Sequence, residues 1–192
     1  MLKVMNGIKG LIFDCDGTLA DTMPIHWQAW RDALKSYGAE CPLEFLRDLG
    51  GVPAERIVEI FNHNFEHDLD TAIVAREKNN LVREKLLTVQ PIKPVTDIVR
   101  EYKGKLPMAV ASGGYRENVE NTIKSIGLLG YFDIILTSDD DVPPKPSPEI
   151  FLAIAKVFKL KPRECQVFED GPAGLEAARK AGMVVTDVRP FI

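Results

Sequence analysis

The stretch GLIFDCDGT, residues 10–18, joins a short apolar run to two closely spaced aspartates. An apolar run of this length that ends in a turn predicts a buried strand. Asp14 and Asp16 follow that strand, and Gly17 lets the backbone turn sharply behind them. Two ionised carboxylates this close repel each other unless a cation neutralises them. The stretch therefore predicts either a metal-binding pair at a strand end or a polar turn.

The rest of the chain changes its pattern near residue 89. Residues 24–87 carry apolar side chains at helical spacing, without a strand signal. We predict three helices there: one from about residue 25 to Gly38, one around residues 57–65 and one from Thr71 to about Leu87. Beyond residue 89, short β-rich runs alternate with helical segments, which is typical of a parallel sheet flanked by helices. The predicted strands there are 108–111, 134–137, 166–169 and 184–188, and the predicted helices are 94–104, 115–126, 147–159 and 172–181. We predict an α/β core of residues 1–20 and 90–192, interrupted by an all-helical cap of residues 21–89.

Composition narrows the class of protein. The chain has 192 residues, and its amino-acid composition is that of an ordinary globular protein, which excludes a largely disordered chain. Its net charge of −4 gives no general affinity for nucleic acid. The apolar runs are too short to span a bilayer, so we expect no membrane association. Three widely spaced cysteines and no secretory pattern favour a cytoplasmic protein. We expect a monomer, because the motifs require no second chain.

A second acidic pair, Glu169-Asp170, ends another predicted strand. In open α/β sheets, ligands bind beyond the carboxyl ends of the strands. If this strand lies beside the first one, its carboxylates converge with those of Asp14 and Asp16. Several hard oxygen ligands at one point suit Mg²⁺.

Two further segments at strand ends suit a phosphate group. Ser112 is followed by Gly113 and Gly114 between a strand and a helix, where exposed backbone N–H groups bind anions. Lys145 stands in the proline-rich run PPKPSP, which fixes its backbone direction and could present one ammonium to a phosphoryl group. Taken singly, these features are also compatible with an ordinary turn and an exposed loop lysine.

In this order, the motifs resemble those of the haloacid dehalogenase superfamily of phosphotransferases. The run FEDGPAG at residues 168–174 resembles the β-phosphoglucomutase-like subgroup, which carries its helical cap at the position of the insert. Residues 75–78 (AREK) and 107–110 (PMAV) resemble the small bacterial fructose-1-phosphate phosphatases. Haloacid dehalogenases proper lack the second aspartate, so the resemblance does not predict carbon–halogen cleavage.

The resemblance implies the catalytic residues. Asp14 would attack phosphorus and form an aspartyl-phosphate. Asp16 would be the general acid and then the general base. Ser112 and Gly113 would hold the transferring phosphoryl group together with Lys145, which would also keep the nucleophile ionised.

The resemblance also implies a Mg²⁺ site. Asp14, the backbone carbonyl of Asp16, and Asp170 would bind the ion, with Glu169 beside them. Thr18 would support the loop of the general acid and belong to the phosphate-binding set.

Four cap residues match positions that face substrate in the subgroup. They are His26, Gly51, Arg56 and Lys78. His26 would help to place Asp16 when the cap closes. A solvent-facing helix surface remains the alternative for His26, Arg56 and Lys78.

Three functions remain open at this point. The first is a Mg²⁺-dependent phosphatase acting on small sugar phosphates such as fructose 1-phosphate. The second is a hexose phosphate mutase, whose second phosphate pocket needs a lysine where this chain has Tyr115, unless Arg116 replaces it. The third is a non-catalytic module that only binds phosphate. Because every catalytic position is filled and Tyr115 replaces the lysine, the pattern favours the phosphatase.

Overall fold

The computed structural model describes residues 2–192, in which five strands form one fully parallel sheet in the order β3-β2-β1-β4-β5. The strands are β1 (Gly10–Phe13), β2 (Met108–Ala111), β3 (Ile134–Leu136), β4 (Cys165–Glu169) and β5 (Val184–Asp187). The predicted α/β fold is confirmed. β1 pairs directly with β4, so the two acidic motifs leave neighbouring strands at the same edge.

Eight helices accompany the sheet within the described residues. They are α1 (Met23–Lys35), α2 (Leu43–Asp48), α3 (Ala54–Phe65), α4 (Thr71–Arg83), α5 (Lys93–Tyr102), α6 (Arg116–Ser125), α7 (Glu149–Phe158) and α8 (Pro172–Lys180). The sequence pattern misses α2, because six residues are too few to establish a helical period. It also extends α4 to about residue 87, whereas the chain tightens into a 3₁₀ turn at 85–88.

The sheet separates two layers of helices. Leu11 and Phe13 point to the face covered by α5 and α6, whereas Ile12 points to the face covered by α7 and α8. The ring of Phe13 stacks on Phe168 of the neighbouring strand at a centroid distance of 5.0 Å. Both faces of the central strand are therefore buried, as its continuous apolar sequence predicts.

The helices α1–α4 lie between β1 and α5 in the chain and have an apolar cluster of their own. Trp30 and Leu34 of α1 pack there with Phe61 of α3 and Val74 of α4. Val82, near the end of α4, joins the sheet-side cluster instead. The regular structure of the segment predicted as the cap is thus helical, whereas its division from the core, at residues 21 and 89, stays a prediction. The helices α1–α4 with their loops are called the cap below. No helix within residues 2–192 is long and apolar enough to cross a membrane.

Candidate active site

A cavity lies between the cap and the carboxyl ends of the strands. Its lining comes from the two aspartates after β1, the loop after β2, and the cap helices. The lining includes Asp14, Asp16, His26, Trp27, Trp30, Gly51, Lys78, Asn79, Ser112, Gly113, Tyr115 and Asn118. The cavity therefore brings together most of the predicted catalytic and cap residues.

A buried lysine links the two acidic motifs. Lys145 Nζ donates to Asp14 Oδ1 and to Glu169 Oε2, each at 2.7 Å, and to the carbonyl oxygen of Ala111 at 3.0 Å. Burial lowers the pKa of Lys145, but the two carboxylates outweigh burial and hold its pKa above the ordinary value. The ammonium therefore stays charged beside the predicted nucleophile.

Three carboxylates crowd one point at the sheet edge. Oxygens of Asp14, Glu169 and Asp170 lie within 4.8 Å of one another. Burial, followed by the charge of Asp14, raises the pKa of Glu169 to about 8 and that of Asp170 to about 7. Burial also raises the pKa of Asp14, in spite of Lys145. A divalent cation fits this cluster, because the ligands are hard oxygens and one ammonium does not balance three carboxylates.

Thr18 contacts the second acidic motif. Its side chain is fully buried, and its hydroxyl donates to Asp170 Oδ1 at 2.7 Å. The hydroxyl thus holds a carboxylate of the predicted metal site. Thr18 lies outside the cavity lining, and its place in the phosphate-binding set stays a prediction.

The carboxylate of Asp16 turns towards the cap. Its Oδ1 accepts a hydrogen bond from Thr22 Oγ1 at 2.7 Å and lies 3.2 Å from His26 Nε2. Burial raises the pKa of Asp16, but these partners outweigh burial and the pKa falls to about 2. The aspartate is therefore ionised in this conformation.

A lysine of the cap fixes the proton position on the histidine. Lys78 Nζ lies 2.7 Å from His26 Nδ1, and an ammonium can only donate. His26 Nδ1 is then the acceptor, so its proton sits on Nε2 and points to Asp16. Burial and the adjacent ammonium lower the pKa of His26, which agrees with this neutral tautomer. Burial likewise lowers the pKa of Lys78, to about 8.

The cap loop lies directly on the core. A Cβ on Gly113 would lie 2.5 Å from the carbonyl oxygen of Gly51, and one on Gly171 would lie 2.6 Å from that of Gly50. Gly51 also has a φ of +84°, which favours glycine. These glycines allow the cap loop to close over Ser112, whose Oγ accepts a hydrogen bond from the N–H of Gly114 at 3.0 Å.

Two arginines do not join the cavity. Arg56 is exposed and pairs with Glu59 on its own helix, so the structure does not support the predicted substrate contact. Arg116 donates to Asp140 Oδ2 at 2.7 Å and to the carbonyl oxygen of Ile135 at 3.2 Å. Tyr115, rather than Arg116, lines the cavity.

The motifs do not reveal every residue of the site. Thr22, Asn79 and Asn118 were not predicted, although Thr22 contacts Asp16 and the two asparagines line the cavity. Asn79 follows Lys78 directly, and that adjacency is the one sequence signal. Asn118 comes from a core helix, so only packing brings it to the cap.

A family model for haloacid dehalogenase-like hydrolases matches residues 11–188. The chain belongs to this family. It is 41% identical over 181 residues to the fructose-1-phosphate phosphatase YqaB of Escherichia coli, covering 94% of this chain and 96% of that one. It is 31% identical over 180 residues to a phosphorylated carbohydrates phosphatase of Thermotoga maritima, covering 92% of this chain and 82% of that one.

Solved structures agree with the fold. A hydrolase from Pseudomonas syringae superposes with a TM-score of 0.85 at 21% identity, covering 93% of this chain and 84% of that one. A β-phosphoglucomutase from Clostridium difficile has a TM-score of 0.78 at 26% identity, covering 94% of this chain and 84% of that one. The predicted family is confirmed, and so is the predicted class of phosphoric monoester hydrolase.

Proposed function

We propose that this chain is a Mg²⁺-dependent phosphatase that hydrolyses small sugar phosphates such as fructose 1-phosphate through an aspartyl-phosphate. The observation that carries the proposal is the pairing of Asp14 with buried Lys145 beside two further carboxylates, under a closed cap. The name of the 41% identical relative supports the sugar phosphate as substrate. Three buried free cysteines, Cys15, Cys41 and Cys165, support a reducing cytoplasm. We keep the monomer as part of the proposal.

In the first step, an oxygen of Asp14 attacks phosphorus and the bond to the sugar oxygen breaks. Ser112 holds a phosphoryl oxygen, and Lys145 exchanges one of its three bonds to Asp14, Glu169 and the Ala111 carbonyl for one to another phosphoryl oxygen. The leaving alkoxide takes a proton from Asp16. Asp16 is ionised in the free enzyme, and an incoming phosphate dianion favours its protonation, because a nearby like charge raises a carboxyl pKa. The products of this step are the free sugar and phosphorylated Asp14.

In the second step, Asp16 removes a proton from a water molecule, whose oxygen attacks the phosphorus bound to Asp14. The acyl-phosphate bond breaks, and inorganic phosphate and the free Asp14 carboxylate result. His26 and Thr22 orient the Asp16 carboxylate for both steps, since each contacts its Oδ1.

Mg²⁺ fits the oxygens of Asp14, Glu169 and Asp170, with the backbone carbonyl of Asp16 as the further predicted ligand. When bound, the ion screens the repulsion between the carboxylates and the phosphate dianion. Thr18 holds Asp170 in position, and Lys145 holds Asp14 and Glu169.

The chain lacks the lysine that a mutase would need for its second phosphate pocket. Arg116 is held by Asp140, and Tyr115 places a phenol at the position where the mutases have a lysine. A sugar with a phosphate at each end would find no second partner of positive charge there. This arrangement favours hydrolysis over transfer.

The decisive experiment is a phosphate-release assay with and without Mg²⁺. The substrates are fructose 1-phosphate, glucose 6-phosphate, 6-phosphogluconate, phosphoglycolate and β-glucose 1-phosphate. We expect Mg²⁺-dependent release, and loss of that release in Asp14→Asn. Glucose 6-phosphate appearing from β-glucose 1-phosphate without release would favour the mutase, and phosphate binding without any turnover would favour the non-catalytic module.

A further inference from the structure

Two side chains that line the cavity each carry a buried N–H donor that no protein group satisfies. Within residues 2–192, three buried side-chain polar atoms lack a hydrogen-bond partner: Trp27 Nε1, Asn79 Nδ2 and Thr122 Oγ1. Trp27 and Asn79 both line the cavity. A buried N–H without a partner is costly, so two of them on the side chains that wall one cavity point to a ligand that supplies acceptors.

Asn79 is held in place across the cap–core boundary. The Nδ2 of Asn118, a buried residue of α6, lies 3.4 Å from Asn79 Oδ1 on α4. The carbonyl oxygen Oδ1 of Asn79 therefore accepts this hydrogen bond, while its own Nδ2 has no protein partner. This orientation of the Asn79 amide requires the cap to be closed on the core, because Asn79 belongs to the cap and Asn118 to the core.

The acceptor is a neutral oxygen. Among the described residues that line the cavity, Lys78 is the single ammonium, and it is engaged by His26. Arg47 packs over the Trp27 ring, with its Cζ 5.2 Å from the ring centroid, but it lies outside the cavity lining. A carboxylate in the leaving group would add a negative charge near Asp14 and Asp16 without a free cation in that lining to balance it. The rings of Trp27 and Trp30 add apolar surface, which suits the C–H faces of a sugar.

We propose that Asn79 and Trp27 form a hydroxyl-reading subsite that makes the enzyme select polyhydroxylated phosphate esters over esters without hydroxyl groups. The subsite rests on the proposed phosphatase and adds the residues that choose its leaving group. Each N–H donates to a hydroxyl oxygen of the sugar. An ester without that oxygen leaves the donor unpaired and is discriminated against.

The test compares fructose 1-phosphate with p-nitrophenyl phosphate, which has no hydroxyl in its leaving group. Asn79→Leu removes the amide N–H at nearly constant shape, and Trp27→Phe removes the indole N–H together with one ring. We expect each to lower kcat/KM for fructose 1-phosphate by about tenfold or more, and to change that for p-nitrophenyl phosphate by less than about twofold. Asn80→Leu is the matched control, because Asn80 is the exposed next residue of α4 and lies outside the cavity lining. It should change neither value.

The outcomes separate the subsite from the chemistry. If the wild type hydrolyses no ester with Mg²⁺, the proposed function fails. If it hydrolyses both esters and the variants affect them equally or not at all, the subsite is overturned while the phosphatase stands. If only one of the two variants loses activity selectively, the paired subsite is overturned. Phosphoglycolate is assayed alongside, and if it is the ester most affected by Asn79→Leu, the site binds a carboxylate and the proposal is overturned. Thermal unfolding confirms that each variant folds, and Asn79→Ala replaces Asn79→Leu if the latter does not.

Discussion

At the residue scale, the two buried lysines show how surroundings decide the chemistry of one side-chain type. Burial lowers the pKa of both. Lys145 touches two carboxylates, which reverse the effect, whereas Lys78 touches the neutral His26 and reaches Asp16 only through that ring. The first lysine is thus a permanent charge, and the second sits close to its own titration.

The depressed pKa of Lys78 predicts a pH-dependent stability. Its pKa is about 8 in the folded protein against an ordinary value of 10.5, so between these values the unfolded chain binds more protons. Stability should therefore rise with pH across that window, by roughly 3 kcal/mol from this group, and the full penalty should be present below pH 8. Urea unfolding of wild type and Lys78→Met should show a stability difference that shifts in favour of the wild type between pH 8 and 10.5. A constant difference across this range would contradict the assignment.

Gly174 is fixed by the carboxylate behind it. A Cβ on this residue would overlap the Glu169 side chain, which is itself fully buried and bonded to Lys145. We expect Gly174→Ala to lower the free energy of unfolding by about 1–3 kcal/mol, as overpacking does. Glu176→Ala on the exposed face of the same helix is the control and should be nearly neutral. Equal stabilities of the two variants in urea would show that Glu169 moves aside freely.

At the element scale, α4 has a double function. Its first turn is capped by Asp70, which accepts from the backbone N–H of Ile73 at 2.9 Å. Two turns later, the same helix presents Lys78 and Asn79 to the cavity. The start of the helix is fixed by local hydrogen bonding, whereas its functional face is fixed by packing against α1 and α3.

The cap residue of α4 can be tested by itself. Asp70→Ala leaves a backbone N–H of the first turn without its side-chain partner and should lower the free energy of unfolding by about 1 kcal/mol. Asp68→Ala removes the same charge two residues earlier, outside the helix, and serves as the control. Denaturant titrations measure the free energy of unfolding of both variants. An equal loss in the two would mean that the charge, rather than the capping hydrogen bond, is responsible.

At the scale of the whole molecule, the site is built from segments far apart in the chain. Lys145 reaches Asp14 across 131 residues, and Thr18 reaches Asp170 across 152. The acidic cluster therefore exists only when β1 and β4 are paired. A cation that binds this cluster binds the folded state and stabilises it.

Mg²⁺ should accordingly raise the melting temperature. At a free concentration of 100 Kd, binding adds about 2.7 kcal/mol to the free energy of unfolding. Differential scanning calorimetry of the wild type with MgCl₂ should show a higher Tm than with NaCl at equal ionic strength. Asp170→Asn should lose both the Tm shift and the turnover, and an unchanged Tm shift in that variant would remove Asp170 from the metal site.

Much of the fold follows from local sequence patterns. The apolar runs of β1 and β2 predict their strands without error, because a strand buried on both faces reads as continuous apolar sequence. The helix boundaries of the core agree within one or two residues. Helix α2 was not predicted because it is short. The 3₁₀ turn after α4 was not predicted either, and it packs against α6, a helix from a distant part of the chain.

The sequence by itself determined the family, the parallel sheet and the strand-end motifs, because glycines, apolar runs and acidic pairs have local causes. Only the tertiary structure decided which side chains meet. It turned Arg56 to solvent and tied Arg116 to Asp140, and it placed Asn79 beside Asn118 with a free donor. A motif fixes the backbone position of a residue, whereas the direction and partners of a long side chain depend on helices that arrive from distant parts of the chain.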